Sequence, residues 1–498
     1  MSSTFRPALL LMGGRALGVA IGFLIPVALV RVFNQTEFGT YKQVFLIYAT
    51  LYGVAQIGMA ESLFYFLPSA RQRGGRFAAN SLLSLAAAGI AALVLLAAAA
   101  PVVARVMNNP ALERPIVLMG TYLLFMLAAA VLEIAMISRQ KYGLASLSYS
   151  VSDLARASLY LLPVLVWPTL EALLWGAIAF AALRLAAAVA FLGREYGREL
   201  RPDRSLLKAQ AAYAGPFALA VLVHVLQANL HSYAVFYSFD PATFAVYAVG
   251  CLQIPLIDLI GSSASHVMMV RMSGARAEGR EDLVLAIWQD ITRKLALFFF
   301  PLVGLLLVNA REIIVFLFTS DYAASAPIFM LWSITILGSA FQVDGVLRVY
   351  ARTRFIFAMN LVVLGLVIAL IGPSIGVFQL TGAVLVSLIA FFTAKALALW
   401  RIRRLMGVPF ARFLPWGALG ATLGVSAAAA LAASLVRMEA ALSPLPSLVL
   451  AGAVHMAVYG GLLVLLGLLA PSEKRALAAA LRRRIPATPA TAEETRTH

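Results

Sequence analysis

The chain has 498 residues, 62% of them hydrophobic and only 12% charged. A water-soluble domain is about half apolar and a quarter charged, so this composition excludes a soluble protein and points to the bilayer. The single cysteine, Cys251, excludes a disulfide framework and a thiolate metal site, and the formal charge of +17 asks where the bases lie.

Leu9 to Phe33 is apolar and long enough to cross a hydrocarbon core. It reads as a span rather than a cleavable signal, because it runs on into a repeated pattern. Gly14, Gly18 and Gly22 stand four residues apart and form a smooth strip for a close neighbour, with Arg15 beside it. Pro26 removes a backbone donor and bends the outer half. A turn follows, Asn34-Gln35-Thr36-Glu37-Phe38-Gly39-Thr40-Tyr41. A second apolar run then carries Glu61 and closes at Pro68 and the bases Arg71, Arg73 and Arg76.

Fourteen stretches qualify as spans: 9–33, 39–67, 77–104, 114–137, 144–167, 170–193, 209–237, 242–270, 289–310, 323–350, 355–372, 377–400, 412–436 and 446–470. The chain is thus an all-α integral membrane protein of about fourteen transmembrane helices. The shortest break is Gly372-Pro373. The pattern after the first span returns at Asp240-Pro241-Ala242-Thr243-Phe244-Ala245-Val246-Tyr247, with Tyr247 placed 206 residues after Tyr41. Each copy is helix, turn, helix and basic loop. A same-direction repeat of this length implies two similar bundles side by side with a pathway between them.

Thirty of the 39 Lys and Arg fall in alternate loops on one side and six in the others. That asymmetry places the basic side, with both termini, in the cytoplasm. It also accounts for the high charge by topology, so nucleic acid is not an expected partner. The outer loops are short. The tail from Ser472 reads as a basic amphipathic helix for anionic headgroups and, beyond Ile485, as a disordered Pro/Thr/Ala-rich segment.

Charge inside a span is costly and marks a partner or a wet cavity. On the fifth span Tyr149, Asp153, Arg156 and Tyr160 share a face. They line a lumen, or Asp153 and Arg156 form an ion pair between helices, and both can hold together. The seventh carries Tyr213, His224, Gln227 and His231 on one stripe, where His224 suits a proton-linked role or a hydrogen-bonded helix contact. Arg184 lies too deep to reach the cytoplasmic face easily. Asp344 and Arg348 are one turn apart, and Lys395 lies within snorkelling reach of the inner loop.

Arg15, Arg156, Arg184, Arg348 and Lys395 would together give a cationic cavity for a phosphate or pyrophosphate. Glu61 and Asp258, one from each repeat copy, are the foremost acids for ion or proton coupling, with Asp153 and His224 beside them. The other reading makes these acids structural partners of nearby bases. No GxxxxGK[ST], HExxH or GxSxG occurs. Neither an enzyme, a cofactor nor a metal site is expected.

The glycine-bearing first helix, Ala28-Leu29-Val30-Arg31-Val32-Phe33, Glu37-Phe38-Gly39-Thr40-Tyr41 and Gly58-Met59-Ala60-Glu61-Ser62 resemble the polysaccharide flippases of the multidrug/oligosaccharidyl-lipid/polysaccharide exporter superfamily. The resemblance implies two six-helix lobes, residues 1–208 and 209–404, in a V around a central cavity. It implies two additional helices in 405–471 that suit a lipid-tail groove, and a cytoplasmic segment 472–498. The implied function is transfer of an undecaprenyl-pyrophosphate-linked oligosaccharide across the bacterial inner membrane for exopolysaccharide or O-antigen. The lipid II flippases carry an Arg-Asp pair in the first helix, where this chain has Ile21-Gly22. The implied partners are the lipid-linked oligosaccharide and membrane lipids, then a polysaccharide polymerase and chain-length proteins. A cation-coupled multidrug exporter on the same fold and a non-transporting scaffold are the alternatives.

Overall fold

A computed structural model describes residues 18, 20–56, 58–70, 73–107, 109–439 and 444–469. Arg15, Arg71 and the tail from Ser472 lie outside them. Among the described residues there is helix, turn and loop but no strand. Eight helical segments are long and apolar enough to cross a membrane, and a bent pair makes a ninth. The remaining expected spans coincide with shorter or more polar helices, so apolarity alone does not establish the count of fourteen.

The N-terminal half holds α1 (Ala20–Leu29), α2 (Gln35–Ala55), α3 (Ser62–Ser69), α4 (Gly74–Val106), α5 (Glu113–Ala129), α6 (Val131–Ser138), α7 (Tyr142–Val166) and α8 (Leu170–Tyr196). Asn34 and Glu37 start α2 with a reciprocal cap, each side chain accepting from the other's backbone amide. The antiparallel α4 and α5 approach closely because Gly89 sits on Leu124 and Gly120 on Leu93. Large apolar side chains on α4 such as Val94 and Leu95 are exposed. In a chain of this composition that face belongs to lipid.

The C-terminal half holds α9 (Arg204–Ser238), α10 (Pro241–Gly250), α11 (Pro255–Ala277), α12 (Glu281–Val308), α13 (Ala310–Phe318), α14 (Ala326–Ser333), α15 (Thr335–Gly338), α16 (Val343–Val349) and α17 (Thr353–Met406). The α10–α11 span bends by 46° at residues 251–254, and Pro255 opens α11 without an amide to donate. The 54-residue α17 is two legs joined at Gln379, whose φ of 52° is non-helical. The break is therefore at Gln379, not at Gly372-Pro373, and Pro373 is accommodated within the helix. Gly382 allows the return, since a Cβ there would strike the Ser374 carbonyl. After the short α18 (Phe410–Phe413), α19 (Trp416–Glu439) and α20 (Pro444–Leu465) pair with each other and pack on α12.

The repeated turns have a shared physical basis. Asp240 caps α10 as Asn34 caps α2, and the two helices lie against each other. Gly39 touches the Pro241 backbone so closely that any side chain would collide with its carbonyl. Phe38 meets Tyr322 edge-on at 5.7 Å. Gln35 donates to the Asp321 carbonyl at 2.6 Å. Arg31 donates to Val27, to the Leu317 carbonyl at 2.8 Å and to the Phe316 carbonyl at 2.9 Å. Those carbonyls are at the C-terminal end of α13, where a helix lacks internal donors and favours a cation. These contacts tie the two halves together at this end.

Candidate functional site

A cavity of about 620 Å³ lies in the C-terminal half, walled by α9, the α10–α11 break, α14 to α16 and both legs of α17. Four sequence-predicted site residues line it: His224, Asp258, Arg348 and Lys395. Asp344, one turn before Arg348 on α16, faces the same space. Lys395 donates to the Phe341 carbonyl at 3.0 Å and rests 5.4 Å from the Phe391 ring. Asp258, Asp344 and Arg348 are exposed to this space. Among the described residues none of these three has an ion-pair partner within 4 Å.

The seventh-span stripe divides. His224, Gln227 and His231 line the cavity, whereas Tyr213 stacks on Tyr65 of α3 at 4.8 Å. The His231 Nδ1 and the Tyr247 hydroxyl lie 2.6 Å apart, which joins the stripe to the repeated turn's tyrosine. Two α9 residues cross to α2: Asn229 donates to the Thr50 hydroxyl at 3.3 Å, and Tyr233 to the Leu46 carbonyl at 3.5 Å.

The other four described candidates lie in the N-terminal half and do not line this cavity. Arg184 is bound to Glu133 at 2.5 Å and to the Ser152 hydroxyl at 2.9 Å. Ser148 donates to the second Glu133 oxygen at 2.9 Å. This set joins α6, α7 and α8. Arg156 pairs with Asp153 at 2.8 Å, one turn apart on α7, so the ion pair lies within one helix and not between helices. The pair lies on the glycine strip of the first helix: a Cβ at Gly18 would overlap the Asp153 carboxylate, and one at Gly22 would sit 3.3 Å from the Arg156 guanidinium. Glu61 occupies the break before α3, with one buried carboxylate oxygen lacking a hydrogen-bond partner. Nearby, the Tyr160 hydroxyl donates to that of Tyr122 at 2.8 Å.

The structure thus divides the charges between two halves rather than gathering them in one cationic chamber. Arg156 and Arg184 each have an acid in hand, and the cavity holds Asp258 and Asp344 alongside Arg348 and Lys395. Glu133 was missed by the sequence reading, although a solitary carboxylate within 114–137 was itself the signal that a buried base must answer it. Trp332 was missed as well. It lines the cavity and packs 5.5 Å from His231, but in sequence a tryptophan in an apolar span does not stand out.

Outside the spans, two acids are held below the usual carboxylate range. At Asp240 it is the Thr243 hydroxyl and backbone amides. Asp203, the N-cap of α9, is lowered to about 2 by the Ser205 hydroxyl and by Arg76. These groups fix the starts of two helices.

The sequence profile of a family described as polysaccharide biosynthesis protein matches residues 28–327. No curated protein matches the chain. Among solved structures, the lipid II flippase MurJ in an inward closed conformation is similar with a TM-score of 0.71 at 12% identity, over 93% of this chain and 100% of that one. A MATE family multidrug resistance transporter in an outward-facing conformation gives 0.58 at 11% identity, over 80% and 95%. A MOP superfamily transporter from Pyrococcus furiosus gives 0.55 at 13% identity, over 81% and 95%. The chain shares the fold of these solved transporters.

Proposed function

We propose, from the premise that this chain belongs to the family of polysaccharide biosynthesis proteins, that it is a flippase. It carries an undecaprenyl-pyrophosphate-linked oligosaccharide repeat unit across the bacterial inner membrane for exopolysaccharide or O-antigen. The observation that carries this reading is the membrane-embedded cavity with Arg348 and Lys395 on its wall and no carboxylate within ion-pair distance of either.

Residues 1–208 and 209–404 are two lobes that rock about α2 and α9, with both termini cytoplasmic. Residues 405–471 flank the second lobe. The pyrophosphate enters from the cytoplasmic side and meets the Arg348 guanidinium, whose planar fork matches two phosphate oxygens. Lys395 adds a point charge. Arg15 and Arg156 extend the cationic path from the first lobe, and Arg184, held by Glu133, fixes that lobe's shape. The lipid tail stays in the bilayer. Asp258 and Asp344 compete with the substrate for Arg348 and Lys395 when ionised. Protonation, or capture of a cation, removes that competition and favours loading; renewed ionisation favours release. His224 stands at the same wall to relay a proton. Glu61 and Asp153 are the corresponding coupling acids of the first lobe. Opening to the outer face requires the bonds of Arg31 and Gln35 and the Gly39–Pro241 contact to part. A polysaccharide polymerase and chain-length proteins would receive the product.

One observation favours a second reading. Asp258 and Asp344 make half of the cavity's fixed charge negative, which also suits a cation-coupled multidrug exporter. Deletion in the host separates the two. Accumulation of lipid-linked oligosaccharide, reversed by the wild-type chain and not by Arg348→Ala, supports the flippase. Intact surface polysaccharide with heightened drug sensitivity would overturn it in favour of the exporter.

A further inference from the structure

Chain order separates two parts of the cavity wall. Arg348 and Asp344 lie on α16, just before the basic turn at Arg352 and Arg354. Lys395 stands six residues before Arg401 on the returning leg of α17. Trp332 closes α14, sixteen residues before Arg348 and on the far side of α15 and of the break at Gln342. His231, Gln227, Gln253 and Ser387 on the cavity wall offer neutral donors and acceptors.

The indole is set in place from one side. His231 packs on it at 5.5 Å, and His231 itself is fixed by the Tyr247 hydroxyl at 2.6 Å. Tyr247 is fully buried on α10. A braced aromatic face bordered by amides and hydroxyls is complementary to a pyranose ring. The apolar C–H face of the sugar covers the indole while its equatorial hydroxyls reach the rim. A phosphate gains nothing there, because neutral amides cannot replace its hydration as a guanidinium does.

We infer that this cavity holds a glycan subsite in which Trp332 stacks on a neutral sugar of the lipid-linked unit while Arg348 and Lys395 hold its pyrophosphate. This rests on the flippase reading. It adds that specificity for the sugar is separate from affinity for the headgroup, and that it resides in the second lobe.

The test measures dissociation constants of the purified full-length chain for two probes. One is undecaprenyl pyrophosphate. The other is the oligosaccharide-bearing lipid extracted from host cells that lack this chain. Wild type should bind the glycosylated lipid roughly five- to tenfold more tightly than the bare one. Trp332→Ala should erase that difference and leave affinity for the bare lipid unchanged, whereas Trp332→Phe should keep most of it. Arg348→Ala should weaken both probes alike. Equal losses for both probes in Trp332→Ala, or an unchanged ratio, would overturn the subsite while leaving the flippase reading in place. Failure of wild type to bind either lipid would remove the flippase reading itself.

Discussion

The two halves carry related turns at their outer ends and treat buried charge in opposite ways. In the N-terminal half Arg156 and Arg184 are each answered by a carboxylate. Arg184 and Glu133 are 14% and 3% exposed and locked at 2.5 Å, and Arg156 and Asp153 pair one turn apart. In the C-terminal lobe Asp258, Asp344 and Arg348 stand around a cavity without such partners. A charge kept out of water without a partner has a high free energy, so the second arrangement persists only with water or a ligand to complete it. We propose that the first half serves rigidity and the second exchange. The bends reinforce this. The α2–α3 span runs unbroken for 21 residues before Glu61, whereas α10 breaks after 10 and turns by 46° toward the cavity. Glu61 and Asp258 therefore do not occupy equivalent depths, although each follows a break.

The contrast can be broken at its strongest point first. Glu133→Ala leaves Arg184 buried and unpaired. We expect a loss of about 3–5 kcal/mol of stability, read as a lowered Tm in detergent, whereas Asp258→Asn should leave Tm unchanged or raise it. Equal losses would show that the two lobes do not differ in kind. Next in size is the outer closure. Arg31→Ala removes charge-assisted bonds to the α13 carbonyls, each worth about 1.5–3 kcal/mol. The population should move toward outward-open states, read as a longer distance between spin labels placed on the α2 and α13 ends. An unchanged distribution would mean that Arg31 does not hold the lobes together.

The smallest effect is at the start of α9. The Asp203 carboxyl lies at about 2, against an ordinary 3.8. A depressed carboxyl adds stability above its unfolded value and loses it as pH falls toward its folded one. Asp203→Ala should therefore lower Tm slightly at pH 7, and the gap from wild type should close between about pH 4 and pH 2. A gap independent of pH would assign the residue's role to shape alone.

Much of the fold was legible because hydropathy and loop charge are local properties. The outer turns were recognisable from Phe38 and Tyr41 against Phe244 and Tyr247. The position of the reversal in α17 was not, since Gly372-Pro373 looked like the natural stop. The helix absorbed that proline and broke at Gln379, where the close approach of Gly382 to Ser374 decides the geometry. At the site, the chemistry-bearing residues were visible one by one, but their grouping was not. Whether Arg184 met a substrate or a carboxylate depended on Glu133, 51 residues earlier on another helix. Trp332 carried no signal until its cavity existed.

Transport by the reconstituted chain tests the central claim most directly. Proteoliposomes holding wild type, Arg348→Ala or Lys395→Ala would be loaded with the lipid-linked oligosaccharide, and its appearance in the opposite leaflet followed. We expect wild type to move it and both variants to be at least about tenfold slower, equivalent to about 1.4 kcal/mol, with Tm unchanged. Variants that move the substrate as fast as wild type, or a wild-type rate no greater than that of empty vesicles, would contradict it.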